Sequence, residues 1–179
     1  MTTSTTRQGT AYGRWLRLLR HRWFDERDAR RAVDDAALDR LQQRVRASEC
    51  RHSGEIRICI EPGLPMSYVW RHATARDRAI TMFGKLRVWD TEHNNGTLIY
   101  LLLAERAIEI VADRGLSSRV PQAQWDAMLA GMSAAFRRRD FEPGLMQAID
   151  SVEAVLVEHF PLAEGASRRN ELPDRPYRA

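Results

Sequence analysis

No apolar run in this chain is long enough to cross a membrane: the longest, Thr97–Ala104, falls far short of the roughly 20 residues that a spanning helix needs. The polar stretch Met1–Thr10 leads into an arginine-studded segment without an apolar signal region or a small-residue cleavage site, so we expect no secretion signal and a cytoplasmic location. Only two cysteines occur, Cys50 and Cys59, which excludes a disulfide framework or a metal knuckle and predicts reduced, structural thiols. Glycine is sparse, and Gly54, Gly63 and Gly84 stand alone; there is no phosphate-cradling loop, dinucleotide fingerprint or nucleophile elbow. Ser117-Ser118 lacks an evident base, and His21, His52, His72 and His159 lack ligand spacing, so covalent catalysis and a histidine metal site have no support.

What is present suits one soluble domain with tails. The chain has 179 residues, 44% hydrophobic and 29% charged, enough for a single core. Lys85 is the only lysine among 28 basic residues, a bias that points to genome composition rather than function. Charge is uneven along the chain: residues 1–31 carry a net +5, residues 32–163 a net −2, and residues 164–179 a net +1. A near-neutral core argues against a nucleic-acid-binding domain, which carries its basic patch on the folded face.

The basic arm, residues 1–33, contains AYGRWLRLLRHRWF at residues 11–24, where Trp15, Leu19 and Trp23 recur every four residues among arginines. Such a helix would lie on a membrane surface, dock on a partner, or fold back onto its own domain. A helix begins near Asp34-Asp35 with Leu38, Leu41 and Val45 on one face, and ends near His52-Ser53-Gly54. Glu55–Glu61 alternates as a strand. Thr74 caps a helix carrying Ala79, Phe83 and Leu86. Thr97–Ala104 reads as a central strand, and Ala107–Asp113 as its antiparallel partner across Glu105-Arg106. Pro121 opens a helix with Trp125, Met128, Leu129, Met132 and Phe136 on one face, and a last helix spans residues 142–160. A flexible polar tail, residues 162–179, closes the chain. The predicted fold is an α/β three-layer α/β/α sandwich over residues 34–161, with a small mixed sheet: a parallel β-α-β unit plus an antiparallel hairpin strand.

This order makes distant polar segments converge. With Ala104 facing Ala107, Asp113 lies across from Leu98, and Asp113-Arg114-Gly115 lies beside Asn94-Asn95-Gly96. A parallel first strand brings Ser53-Gly54-Glu55 to the same sheet edge. Glu55, Asp90, Glu92, His93, Asn94, Asn95, Asp113 and Arg114 thus form a candidate site. Carboxylates and amide oxygens suit calcium or magnesium, and Arg114 with the backbone at Gly96 and Gly115 suits an anion such as phosphate. Each segment also has a plainer reading, as turn chemistry at Asn94-Asn95-Gly96 and as capping at Asp90 and Asp113.

The succession SGEIRICIE, VWDTEHNNGTLIYLLLAERAIEIVADRG and WDAMLAGMSAAFRRRDFEPGLMQAI resembles the TPM domain, a family of thylakoid-lumen, photosystem-associated and receptor-modulator proteins. The resemblance implies a three-layer α/β/α fold and, for some members, calcium binding and acid-phosphatase activity in an acidic crevice. Carried over by position, it marks Asn94-Asn95-Gly96 and Asp113-Arg114-Gly115. Many relatives end the third strand in a glycine-aromatic-glycine-leucine-glutamate turn; here Ser117 replaces the final acid. Two functions stay open. One is a non-catalytic binding or regulatory module for a protein or a small anionic ligand, with residues 11–24 as a peripheral contact. The other is a weak divalent-metal-dependent phosphatase, with Asp90 and Asp113 on the metal and Asp113 and Arg114 in catalysis.

Overall fold

In the computed structural model, residues 17–19, 21–163 and 169–179 are described. Local signals account for most of the helices. Asp25 caps α1 (Glu26–Ala32) in a reciprocal box with Asp28. Asp34 caps α2 (Asp35–Glu49), whose Leu38, Leu41 and Val45 are buried, as their spacing predicts. After β1 (Glu55–Glu61) and the short α3 (Met66–Trp70), Thr74 and Asp77 form a second box at the start of α4 (Ala75–Lys85). Then come β2 (Gly96–Leu102), β3 (Ala107–Ala112) and the single-turn α5 (Arg114–Ser117). Pro121 is the N-cap of α6 (Gln122–Arg137), one position before its expected place, and α7 (Phe141–His159) follows. A two-residue strand, β4 (Tyr177–Arg178), ends the chain.

The sheet order is β3-β2-β1-β4, with β1 parallel to both β2 and β4 and β3 antiparallel to β2. Ile56, Ile58 and Ile60 of β1 and Ile99 and Leu101 of β2 pack with α2, α6 and α7 on one face. Cys59, Leu98, Tyr100 and Leu102 pack with α3 and α4 on the other. The result is the expected three-layer sandwich with a mixed sheet.

Two expectations need correction. The hairpin pairs Leu102 with Ala107, so residues 103–106 form a four-residue connection rather than a two-residue turn. Arg106 takes a left-handed φ of 51° and its N–H bonds to Leu103 O, closing a turn that Glu-Arg alone could not make. Within the sheet β1 is buried on both faces, as two covering helical layers require, and its polar members have partners of their own. The supposed tail is also structured over residues 169–179. Leu172 is buried, and the Arg57 guanidinium, buried under this segment, takes the carbonyls of Pro173 and Arg175 as acceptors. Asp174 is buried against Arg46, and Ala179 N–H bonds to Ile60 O.

The arm folds back over its described part. Leu18 packs on the α3–α4 layer and Phe24 on the opposite core. Buried His21 accepts the Leu64 N–H at Nδ1 (3.0 Å), which leaves Nε2 to donate to Glu105 at 2.9 Å. Arg17 adds a 2.8 Å bond to the same Glu105 oxygen and a 2.6 Å bond to Ala73 O. Trp15 and the arginines at 14 and 20 lie outside the described residues. The two cysteines are unpaired thiols; Cys50 is exposed, and Cys59 is fully buried between β2 and β4. Burial, reinforced by Glu61, pushes the Cys59 thiol far above its ordinary value.

One ion pair ties the α4 layer to the sheet. Arg78 meets Glu61 side-on with bonds of 2.8 and 2.5 Å, Tyr100 donates to the same carboxylate at 2.7 Å, and the Tyr68 ring lies 5.0 Å from the guanidinium. Removing one partner strands a buried charge, so Arg78→Met is expected to cost about 3–5 kcal/mol in urea unfolding. Adding Glu61→Gln should recover part of that loss. A second test concerns the arm. His21 and Arg17 hold Glu105 below its ordinary value of 4.5, so its stabilisation is present above that pH and is lost as pH falls through the lowered folded value. Glu105→Gln is expected to destabilise at pH 7, and its deficit against wild type should shrink as pH falls below 4.5 when urea midpoints are compared.

Candidate functional site

The loop between α4 and β2 is shaped by residues that accept unusual backbone angles. Arg87 and Asn94 take left-handed φ values of 54° and 52°. Asp90 N–H bonds to Arg87 O, and Asn94 N–H to Thr91 O. Asn95 is almost fully buried; its N–H reaches Thr91 Oγ1 at 3.2 Å, and its side-chain amide donates to Ser53 Oγ at 3.4 Å. The left-handed turn at Asn94 and the side-chain bridge at Asn95 give the two asparagines separate jobs.

Two glycines here are required by close approach. A Cβ on Gly96 would lie 2.0 Å from Val88 O, and one on Gly115 would lie 2.5 Å from Asn94 O and 2.7 Å from His93 O. Gly115 N–H instead donates to Asn94 O at 2.9 Å. Glu55 pairs with Gly96 in the parallel ladder, and Asp113 N–H bonds to Gly96 O. The three polar segments therefore meet as the strand order predicts, although the hairpin register places Asp113 beside Gly96 and not opposite Leu98.

Glu55, Asp113 and the Asp90–Glu92 pair go to three separate places. Glu55 is buried and accepts the backbone N–H groups of Glu171 (3.2 Å) and Leu172 (3.3 Å) from the C-terminal segment. Asp113 is the N-cap of α5: Oδ1 accepts Arg114 N–H at 2.7 Å, while Oδ2 is buried without a hydrogen-bond partner. Asp90 and Glu92 line a cavity of about 550 Å³ with Thr91, Arg169, Asn170 and Glu171, where Glu171 accepts Glu92 N–H at 2.9 Å. Asp113 is not among those lining residues. His93 and Arg114 are exposed. Among the described residues no three His, Cys, Asp or Glu side chains gather where a metal ion could sit. A calcium ion takes six to eight oxygen ligands, and the single unsatisfied oxygen of Asp113 does not make such a set.

Sequence reasoning missed two groups. Arg169, Asn170 and Glu171 were read as tail; the signal was Leu172 and Tyr177, apolar residues set in a polar stretch. Glu109 was read only as a strand residue opposite Ile108 and Ile110. It also lines a second cavity, of about 270 Å³, with Arg76, Ser117, Gln122, Trp125 and Asp126, between α4 and α6 at the β3 edge. Burial pushes its carboxyl above the ordinary range, opposed by Arg76 at 3.7 Å. The Arg76 guanidinium also caps the outward carbonyl of Ile110.

The profile of the TPM domain matches residues 27–155, from α1 through most of α7. This chain belongs to the TPM domain family. Among solved structures, the TPM fold here is similar to the NMR structure of BA42 protein from the psychrophilic bacterium Bizionia argentinensis. The two are 25% identical, with a TM-score of 0.69 over 80% of this chain and 93% of that one. No curated protein matches this chain. Among its described residues, no helix is long and apolar enough to cross a membrane.

The contact of Gly115 with the asparagine loop gives a direct test. Gly115→Ala drives a methyl group into two backbone carbonyls and is expected to cost about 1–3 kcal/mol. Hydrogen exchange should quicken first at the amides of Asn94, Asn95 and Gly115.

Proposed function

We propose that this TPM domain is a non-catalytic binding module whose recognition face is the polar edge where residues 89–95 meet residues 169–172. The observation that carries this reading is the engagement of Glu55 by the chain's own amides at Glu171 and Leu172. That engagement takes the buried acid away from Asp113 and leaves the neighbouring carboxylates around an open cleft walled partly by the C-terminal segment.

Chemistry at the edge supports the same reading. Asp113 spends one oxygen on its helix cap, Arg114 points to solvent from a single-turn helix, and Ser117 stands where many relatives carry an acid. A hydrolase would need a polarising group and an activated water at one phosphate. The cavity offers three carboxylates, Asp90, Glu92 and Glu171, against one guanidinium, Arg169. Such a lining favours a cationic or amino-bearing group of a protein or small ligand over the anion expected from Arg114.

The test is thermal unfolding of the full chain with chelator, calcium, magnesium and manganese, beside an assay with a phosphomonoester. A binding module of this kind shows no concentration-dependent rise in midpoint with these ions and no hydrolysis above background. A metal-dependent rise, with hydrolysis that disappears in Asp113→Asn while the fold is retained, would establish the phosphatase and refute the proposal. Titration with short arginine- and lysine-rich peptides should shift the amide resonances of Glu92 and Glu171.

A further inference from the structure

The side of the molecule formed by the arm and α3 carries an exposed apolar surface that the binding edge does not use. Residues 17–19 and 21–23 are helical and held to the domain through His21, Arg17 and Leu18. With those residues turned inward, Leu19 and Trp23 are 48% and 79% exposed, four residues apart. The adjoining α3 repeats the arrangement, with Met66 at 39% and Trp70 at 64%. Leu18 and Arg17 line a shared crevice with Val69, Trp70 and His72, so the two helices are neighbours. Both apolar pairs have an exposed arginine beside them, Arg22 on the arm and Arg71 after α3.

Burying an indole is among the larger apolar gains available to a side chain, so two tryptophans left more than half exposed imply something that covers them. Charge narrows the choice. A second copy would set Arg22 and Arg71 against the same arginines on the facing chain and be repelled. Shape narrows it further. The crevice between these helices holds only about 30 Å³, too little to seat an aromatic anchor from a protein partner. Tryptophan beside arginine on a surface without deep pockets is the composition that settles at the headgroup level of a bilayer.

We propose that the arm and α3 form a peripheral docking face for an anionic lipid bilayer, with Trp23 and Trp70 entering the interfacial layer and the arginines meeting lipid phosphates. The pinning of the arm by His21 fixes the geometry in advance, because it presents Leu19 and Trp23 outward from a helix already attached to the domain. This surface goes beyond the binding reading above and does not depend on it.

The full-length chain is mixed with phosphatidylcholine vesicles, with and without phosphatidylglycerol, and sedimented. Binding is expected only to the anionic vesicles, with a blue shift of tryptophan emission and weakening as salt rises. Trp23→Ala/Trp70→Ala should lower the partition coefficient by about tenfold or more while leaving the thermal midpoint unchanged, since both side chains are exposed. Ile80→Ala, which removes an exposed apolar residue on α4, should change neither quantity. Absence of sedimentation with anionic vesicles would overturn the proposal. So would sedimentation that the double variant leaves intact, which would reduce the effect to charge alone. Dimerisation without vesicle binding, abolished by the double variant, would give the face to a second copy; vesicle-independent capture of an acidic protein at the same residues would give it to a protein partner.

Discussion

Parallel pairing of β1 with β2 is the constraint from which the rest of the molecule follows. Parallel strands cannot be joined by a tight turn, so the chain must leave the end of β1, cross a face of the sheet and return to its starting edge. Helices α3 and α4 are that crossing, and the loop of residues 86–95 is the return. The ladder from Glu55 with Gly96 to Glu61 with Leu102 then determines what sits at each edge. One end receives the asparagine loop, the start of β1 and the exit of β3. The other receives Glu61, whose carboxylate lies beneath α4 and joins the crossing layer to the sheet through Arg78.

Much of this was legible because it rests on local rules. The apolar spacing of α2, α4, α6 and α7, the helix start near Asp34, the cap at Thr74 and the strand-helix-strand order all act over a few residues, and each appears where sequence placed it. The C-terminal segment was misread because its deciding partners are distant in sequence. Residues 169–179 look like a solvated tail, but they cover Arg57 and Glu55 from 116 or more positions away. The hairpin was read two residues short because Leu103 and Ala104 look like strand, while the turn is made by the backbone of Arg106 at a left-handed angle.

The candidate site divides along the same line. Convergence of its three segments could be read from strand order alone, since a shift of two residues in the hairpin preserves side-chain facing. The chemistry of its acids could not be read this way. Whether Glu55 could serve a ligand is decided by two amides in a stretch whose composition resembles an unstructured tail. Position in the fold followed from periodicity, and charge availability followed from packing.

The seam between β1 and β4 gives the protein a chemical clock. Cys59 sits in that seam, paired with Tyr177 on one side and Tyr100 on the other, and only a solvent-reached thiolate reacts quickly with an alkylating reagent. Cys50, on the surface, provides the immediate reaction against which the buried thiol is timed. The delay between the two labels counts how often the short terminal strand, or the sheet beneath it, opens. Opening around β4 can therefore be followed on the native chain, with no probe added to it.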